Sequence, residues 1–198
     1  MILSTLCAVT LFAFAQAPGA SSPLLGAGDL GRATIASPRL TATIVASQTT
    51  VSPGGTVVLH VEVVPAPGIH VYAPTVRGYR PLRLVVNPAP WLKIHAPEFP
   101  PSELYEFKPL REIVPVYTRP FRVDQPLTFD AVEAKRLGKK QSFLVVTGAL
   151  EYQACDDAVC YNVVSLPFTL DLTLVPRKRA APRGGGDILL MPSVRDPD

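Results

Sequence analysis

The sequence has little net charge and few of the residues that mark metal sites. Its 198 residues carry 19 Lys and Arg against 16 Asp and Glu, and a net charge of +3 is too small to indicate a nucleic-acid partner. The one basic run, residues 177–179, is interpreted as a solvated flank. Three Cys, two Met and the scattered His60, His70 and His95 make a zinc or copper site the weakest interpretation. The sequence predicts neither a metal nor a small-molecule cofactor.

Long apolar runs are absent except at the N-terminus. Residues 1–17, MILSTLCAVTLFAFAQA, carry no charged side chain and end in the small-x-small pattern Ala-Gln-Ala. This pattern predicts a cleaved secretory signal, and the run is too short to span a bilayer comfortably as an anchor. We therefore expect an exported mature chain that does not insert into the membrane. Cleavage removes Cys7 and leaves Cys155 and Cys160, and such a lone pair in an exported protein most often forms a disulfide.

The abundant residue is proline, and its distribution divides the chain. The 22 prolines argue against long helices and favour short strands joined by turns. Residues 18–36 are rich in Gly, Ala, Ser and Pro and are interpreted as a flexible leader. Residues 177–198, with three consecutive glycines, are interpreted as a disordered tail. One domain, residues 37–176, lies between them.

Hydrophobic alternation within this domain predicts an all-β fold. In residues 56–64 the apolar side chains recur at every second position, which is typical of a half-buried strand. Further strands are predicted at residues 39–47, 68–74, 81–88, 113–123, 141–155 and 160–175. Residues 130–138 predict one or two helical turns that end at Gly138. About seven short strands favour an immunoglobulin-like antiparallel β-sandwich, with a small barrel as the alternative.

The last two predicted strands are joined through the sequence CDDAVC, Cys155 to Cys160. Residues that face each other across an antiparallel pair have Cα atoms roughly 4.5 to 5.5 Å apart. A disulfide requires about 4.4 to 6.8 Å, so the two cysteines can be bridged. A bridge across so short a loop stabilises little. A structural disulfide and a redox-active pair both remain open on this reasoning.

Asp156 and Asp157 between the cysteines bear on that choice. Negative charge near a thiol disfavours the thiolate and raises the pKa of the thiol. An oxidising pair stabilises its reduced thiolate form, so these carboxylates favour a pair that donates electrons. The alternative is that both aspartates only form the loop and face solvent.

Three stretches together resemble a known family. The segment EYQACDDAVCYNVVSLPFTLDL resembles the redox-cysteine region of the N-terminal periplasmic domain of the thiol:disulfide interchange protein DsbD. APGIHVYAP resembles that family's Gly-aromatic-x-Tyr strand. ELYEFKPLREIVPVYTRPFRVDQPL resembles its acidic-Phe cap loop and the strand that follows. The resemblance extends over about residues 41–175.

The resemblance implies an immunoglobulin-like sandwich with the disulfide at the end of the final hairpin. It implies that Cys160 forms the mixed disulfide with a partner and that Cys155 resolves it. The cap loop is expected to place Phe107 over the sulfurs, which excludes other oxidants. The remaining site-lining residues implied in this way are Tyr105, Glu106, Tyr72, His70, Asp156 and Asp157. Tyr72 matches a site tyrosine and His70 replaces a second one, whereas ordinary core packing is the alternative for the aromatic residues.

The resemblance also implies a cellular setting and partners. We expect a periplasmic, protein-disulfide reductase-like component that exchanges electrons with thioredoxin-like proteins and a DsbD-type membrane electron conduit. Two departures stand out. The loop between the cysteines is one residue shorter than in the best-known relatives, and the chain ends at Asp198 without a conduit or a thioredoxin-like domain, so we expect other proteins to supply both. The alternative function is a non-catalytic binding or assembly domain with a structural disulfide.

Overall fold

The computed structural model describes residues 30–108, 110–138 and 143–175, which form thirteen strands and one helix. In chain order these are β1 (Arg32–Ser37), β2 (Leu40–Ala46), β3 (Thr50–Val51), β4 (Thr56–Pro65), β5 (His70–Tyr72), β6 (Arg83–Val86), β7 (Leu92–Ile94), β8 (Glu103–Phe107), β9 (Glu112–Tyr117), β10 (Phe121–Phe129), α1 (Ala131–Leu137), β11 (Phe143–Tyr152), β12 (Ala154–Cys155) and β13 (Val164–Leu174).

The strands form three sheets, two of which enclose the main core. The first sheet has the order β1-β2-β4-β10-β7 and the second the order β3-β13-β11-β6. Apolar side chains of β4, such as Leu59 and Val61, are fully buried in one cluster with Leu144 of β11 and Leu170 of β13. Two sheets that share one core in this way make a β-sandwich. The predicted all-β, immunoglobulin-like class is confirmed, and so is the alternation in β4.

The helix has the bounds that the sequence predicts. The Asp130 carboxylate accepts hydrogen bonds from the backbone N–H groups of Val132 and Glu133, and these bonds cap the first turn. Gly138 ends the helix, and its N–H donates to the Ala134 carbonyl. α1 has seven residues, and the part of the chain that the structure describes holds no helix with the length and apolarity of a membrane span.

Two strand predictions are wrong in detail. Residues 113–123 form two strands in different sheets, because β9 pairs with β5 and β8 whereas β10 pairs with β4 and β7. The break falls at residues 118–120, where Pro120 lacks the N–H that would continue a ladder. The loop CDDAVC also does not join the last two long strands directly. Residues 153–163 leave the second sheet after β11, and β12 pairs instead with β5.

The folded part also begins earlier than the sequence indicates. Strand β1 occupies Arg32–Ser37, so all but its last residue lie in the segment 18–36 that we interpret as a leader. It pairs with β2 over its whole length, because the alternating residues of RATIAS suit an edge strand. Residues 1–29 and 176–198 lie outside the described residues, and with them the predicted signal peptide, the start of the leader and the tail.

Candidate functional site

The cysteine pair lies in the third sheet, which has the order β12-β5-β9-β8. Cys155 ends β12 and is the register partner of His70 in β5. Cys160 faces Cys155 in an isolated antiparallel bridge, and the Tyr161 N–H donates to the Ala154 carbonyl at 2.8 Å. The two cysteines form a disulfide with their Cα atoms 4.0 Å apart. The predicted disulfide is therefore present, in a small hairpin of its own.

Asp156 organises the turn of this hairpin. Its carboxylate accepts hydrogen bonds from the backbone N–H groups of Ala158 and Val159, each at 2.8 Å. It also accepts the hydroxyl of Tyr161. These bonds, that of Tyr161 foremost, lower the pKa of Asp156 to about 2. The loop-forming interpretation therefore describes Asp156, whose negative charge is held in the turn at all physiological pH.

Tyr72 contacts both sulfurs. Its hydroxyl oxygen lies 3.2 Å from the Sγ of Cys155 and 3.2 Å from the Sγ of Cys160. A disulfide sulfur has no proton, so the Tyr72 hydroxyl is the donor and serves one sulfur at a time. The ring is fully buried and stacks on Tyr79, with centroids 4.5 Å apart. Burial, followed by the nearby Tyr79 and Glu112, raises the pKa of Tyr72 to about 12, so the donor keeps its proton.

The two cysteines differ in exposure. Cys155 is fully buried, in an apolar cluster with Tyr72, Val114 and Val116. Cys160 keeps partial exposure and packs at the edge of this cluster, as do Val76, Tyr79 and Tyr105. The chain therefore presents one cysteine towards solvent and holds the other in the interior.

The predicted cap loop is a β-hairpin, formed by β8 and β9 and closed by a turn around Arg111, whose φ is +55°. Strand alternation turns Tyr105 and Phe107 to the inner face of β8 and leaves Glu106 exposed on the outer face. Tyr105 reaches the disulfide cluster, and its hydroxyl donates to the Asp157 carboxylate. Phe107 is buried against the ring of His70, with centroids 6.3 Å apart. A position of Phe107 directly over the sulfurs stays a prediction.

His70 lies in the interior of the site, with only 2% of its surface exposed. Its ring centroid is 4.3 Å from that of Tyr105 and 6.1 Å from that of Tyr72. Burial lowers the pKa of the imidazole, and the carboxylates of Asp157 and Asp156 oppose this shift. The Nε2 atom is buried and has no hydrogen-bond partner in the part of the chain that the structure describes. Of the predicted site residues, Tyr72, His70, Tyr105 and Phe107 lie on the inner side of the sheet, Asp156 and Asp157 lie in the turn between the cysteines, and Glu106 is exposed on the outer face.

Sequence reasoning missed two tyrosines that support the site. Tyr79 donates its hydroxyl to Glu112 and covers the ring of Tyr72. Tyr161 holds Asp156, and its ring lies under the guanidinium of Arg39 at 3.4 Å. The position of Tyr161 directly after Cys160 was a usable signal. Tyr79 lies in an irregular segment, where no periodicity points to it. Within the described ranges no group of three or more His, Cys, Asp or Glu could hold a metal ion.

Comparison with protein families matches residues 37–171 to the family described as the N-terminal part of thiol:disulfide interchange protein DsbD. Among solved structures, the N-terminal periplasmic domain of ScsB from Proteus mirabilis is 16% identical, with a TM-score of 0.45 over 72% of this chain. The chain spans only 50% of that structure's length. The reduced DsbD N-terminal domain of Neisseria meningitidis is 17% identical, with a TM-score of 0.40 over 71% of this chain and 86% of its own. No curated protein sequence matches the chain.

Proposed function

The chain belongs to the family of DsbD N-terminal domains, and from this premise we propose that it is an exported module that passes electrons between proteins through Cys155 and Cys160. Membership supports thiol–disulfide exchange as the chemistry of the family. The observation that carries the proposal is the asymmetry of the disulfide. The Tyr72 hydroxyl reaches both sulfurs, while Cys155 is fully buried and Cys160 is partly exposed.

Reduction of the module begins at the accessible cysteine. A thiolate of a reduced, thioredoxin-like partner attacks the Sγ of Cys160, the Cys155–Cys160 bond breaks, and Cys155 leaves as a thiolate. The second thiol of the partner then attacks the partner's own sulfur in the mixed disulfide and releases the Cys160 thiolate. The partner loses two electrons and becomes a disulfide, and the module gains them. Partial exposure of Cys160 favours it for the attack, because the partner's sulfur must approach in line.

Delivery of the electrons reverses these roles. The Cys160 thiolate attacks a disulfide of an oxidised substrate protein, and one substrate sulfur leaves. Cys155 then attacks the Sγ of Cys160, the mixed disulfide breaks, and the substrate leaves with both of its sulfurs reduced. The Tyr72 hydroxyl donates to whichever sulfur carries negative charge, and such charge-assisted bonds are stronger than neutral ones.

The cap hairpin of β8 and β9 protects the pair from unselective oxidants. The Tyr105 hydroxyl ties the hairpin to the cysteine loop through Asp157. Tyr105 packs on the disulfide cluster, and Phe107 buries the adjoining His70. We propose that a partner has to displace this hairpin before its sulfur reaches Cys160. A DsbD-type membrane conduit and thioredoxin-like proteins are the proposed partners, and the periplasm, reached through the signal at residues 1–17, is the proposed location.

Trapping with cysteine variants tests the proposal. Cys155→Ser should form a stable mixed disulfide through Cys160 with a thioredoxin-like partner whose second cysteine is replaced by serine, because neither protein then keeps a resolving thiol. Cys160→Ser is the matched control and should trap little, since Cys155 is buried. The opposite pattern would reverse the two roles. A wild-type bond that a reduced thioredoxin leaves intact would favour the binding or assembly domain with a structural disulfide.

A further inference from the structure

His70 is a buried titratable residue that the exchange steps above leave without a role. Its Nε2 atom has no hydrogen-bond partner among the described residues, although the side chain is almost fully buried. Buried polar atoms in folded proteins are nearly always paired, and each exception requires an explanation. An atom that is unpaired in the disulfide state can be paired in the other redox state of the same site.

The register of the third sheet identifies the partner. Cys155 lies directly opposite His70 in the antiparallel pair of β12 and β5. Residues opposite each other in such a pair direct their side chains to the same face, with Cβ atoms roughly 4.5 to 5.5 Å apart. Tyr72, two residues along β5, lies on the same face and already reaches the Cys155 sulfur. His70 is therefore the cross-strand neighbour of the buried sulfur.

We propose, on the basis of the exchange function above, that His70 accepts the thiol proton of Cys155 when Cys155 resolves the mixed disulfide. In this step the proton moves from Cys155 Sγ to His70 Nε2. The sulfur's electron pair forms the bond to Cys160 Sγ, the mixed disulfide breaks, and the leaving thiolate takes the bonding electrons. The imidazolium then gives the proton to the leaving thiolate, so the ring is neutral again while the disulfide is intact. During reduction the Cys155 thiolate takes up a proton from water, and the neutral imidazole accepts the hydrogen bond of the new thiol.

The groups around the imidazole suit a reversible proton acceptor. Burial beside the rings of Tyr105 and Tyr72 favours the neutral imidazole while the disulfide is intact, and a neutral imidazole has a free lone pair on one nitrogen. The carboxylates of Asp157 and Asp156, in the cysteine loop, stabilise the imidazolium once it forms. Tyr105 from β8 holds Asp157 in place, and Tyr72 comes from the same strand as His70. The loop aspartates therefore assist the resolving step through His70, although they disfavour a bare thiolate.

Reaction of the reduced protein with stoichiometric 5,5′-dithiobis(2-nitrobenzoate) separates the two cysteines. The first release of thionitrobenzoate reports attack by Cys160, and the second reports resolution by Cys155. In His70→Phe the second phase should be about three- to fourfold slower near neutral pH and displaced to higher pH, which corresponds to a one-unit rise in thiol pKa that higher nucleophilicity partly offsets. The first phase should be unchanged. An identical pH profile of the second phase in His70→Phe would overturn the proposal.

Two controls make the test specific. Cys155→Ser should show the first phase alone, which assigns the phases. His95→Gln alters a histidine whose Nε2 bonds Thr128 in the first sheet, and it should leave both phases unchanged. In wild-type protein, the ¹⁵N resonance of His70 Nε2 should move part of the way towards that of a protonated nitrogen when the disulfide is reduced, because Nε2 then accepts a hydrogen bond from the Cys155 thiol. An unchanged resonance counts against the proposal without recourse to any variant.

The same protein distinguishes this inference from the proposed function. Reduction of the wild-type disulfide by a reduced thioredoxin tests partner exchange, whereas the second phase tests proton transfer to His70. If thioredoxin does not reduce the wild-type disulfide, but the second thionitrobenzoate release in His70→Phe is displaced to higher pH, the exchange function alone is refuted. Rapid reduction by thioredoxin with no effect of His70→Phe refutes the role of His70 alone.

Discussion

Replacement of Tyr72 by phenylalanine tests the contact on which the reactivity of the site depends most directly. The variant removes one hydroxyl that lies 3.2 Å from both sulfurs and leaves the buried ring and its stack on Tyr79 in place. The hydroxyl remains protonated throughout a thiol titration, because the pKa of Tyr72 is raised to about 12. It can therefore stabilise a thiolate but cannot compete with it for a proton.

The expected magnitude follows from the difference between charged and neutral acceptors. A hydrogen bond to a charged group contributes about 1.5–3 kcal/mol and one to a neutral group about 1 kcal/mol, so the thiolate loses roughly 1 kcal/mol more than the thiol. One pKa unit corresponds to about 1.4 kcal/mol, so the pKa of the more acidic thiol should rise by about 0.7 units in Tyr72→Phe. The thiolate fraction near neutral pH then falls about fivefold. Higher intrinsic nucleophilicity offsets part of this, which leaves attack about two- to threefold slower.

Ultraviolet absorbance of the thiolate against pH, on reduced protein, measures this shift without a need for reagent access to the buried sulfur. Tyr117→Phe is the matched control. Tyr117 lies in the same sheet and is also buried, but its hydroxyl donates to the Pro100 carbonyl at 2.9 Å. It should leave the thiol pKa unchanged. A thiol pKa in Tyr72→Phe that equals or lies below that of the wild type would refute the reasoning.

Three further variants probe the cap, the fold and its pH dependence. Tyr105→Phe removes the hydrogen bond from the cap hairpin to Asp157. The closed hairpin then loses ~1 kcal/mol of stabilisation, and reduction of the disulfide by dithiothreitol should be about fivefold faster. Gly148→Ala should destabilise the sandwich by about 3 kcal/mol in urea unfolding, because its Cβ would lie 2.3 Å from the Val85 carbonyl oxygen. The Arg122 guanidinium first, then His60, lower the pKa of Asp124 to about 2, below its usual 3.8. Its stabilisation is therefore complete above about pH 4 and lost between pH 4 and 2, and Asp124→Asn should flatten the decline of the urea midpoint in that range.

For each of these variants, one outcome would contradict the prediction. An unchanged dithiothreitol rate in Tyr105→Phe would mean that the hairpin opens without breaking this contact. Gly68→Ala is the control for Gly148, since no atom of the described residues would lie within 4 Å of the added Cβ and the φ of +74° is what opposes the change. Gly68→Ala should lower the free energy of unfolding by about 1 kcal/mol. An equal decrease in both variants would contradict the steric explanation for Gly148. A midpoint of Asp124→Asn that falls between pH 4 and 2 as steeply as that of the wild type would assign the acid sensitivity to other groups.

The elements that local sequence predicts well are those with an unbroken pattern. The alternation in β4 and the cap of α1 at Asp130 are written into neighbouring residues, because a strand and a helix cap depend on interactions a few positions apart. The division of residues 113–123 between β9 and β10 is not encoded in neighbouring residues. Apolar residues continue through it, and only the choice of different partner strands separates the two halves.

The sequence by itself determined the chemistry of this protein. It supplied one cysteine pair in a short acidic loop, tyrosines at family positions and the alternation of a sandwich, all of which depend on residue type and spacing. Only the tertiary structure decided how these residues meet. The pairing of β12 with β5 sets Cys155 against His70 and under Tyr72, and the fold of the cap hairpin turns Glu106 outward. Such contacts join residues more than 80 positions apart, so they are set by strand pairing, which no local pattern encodes.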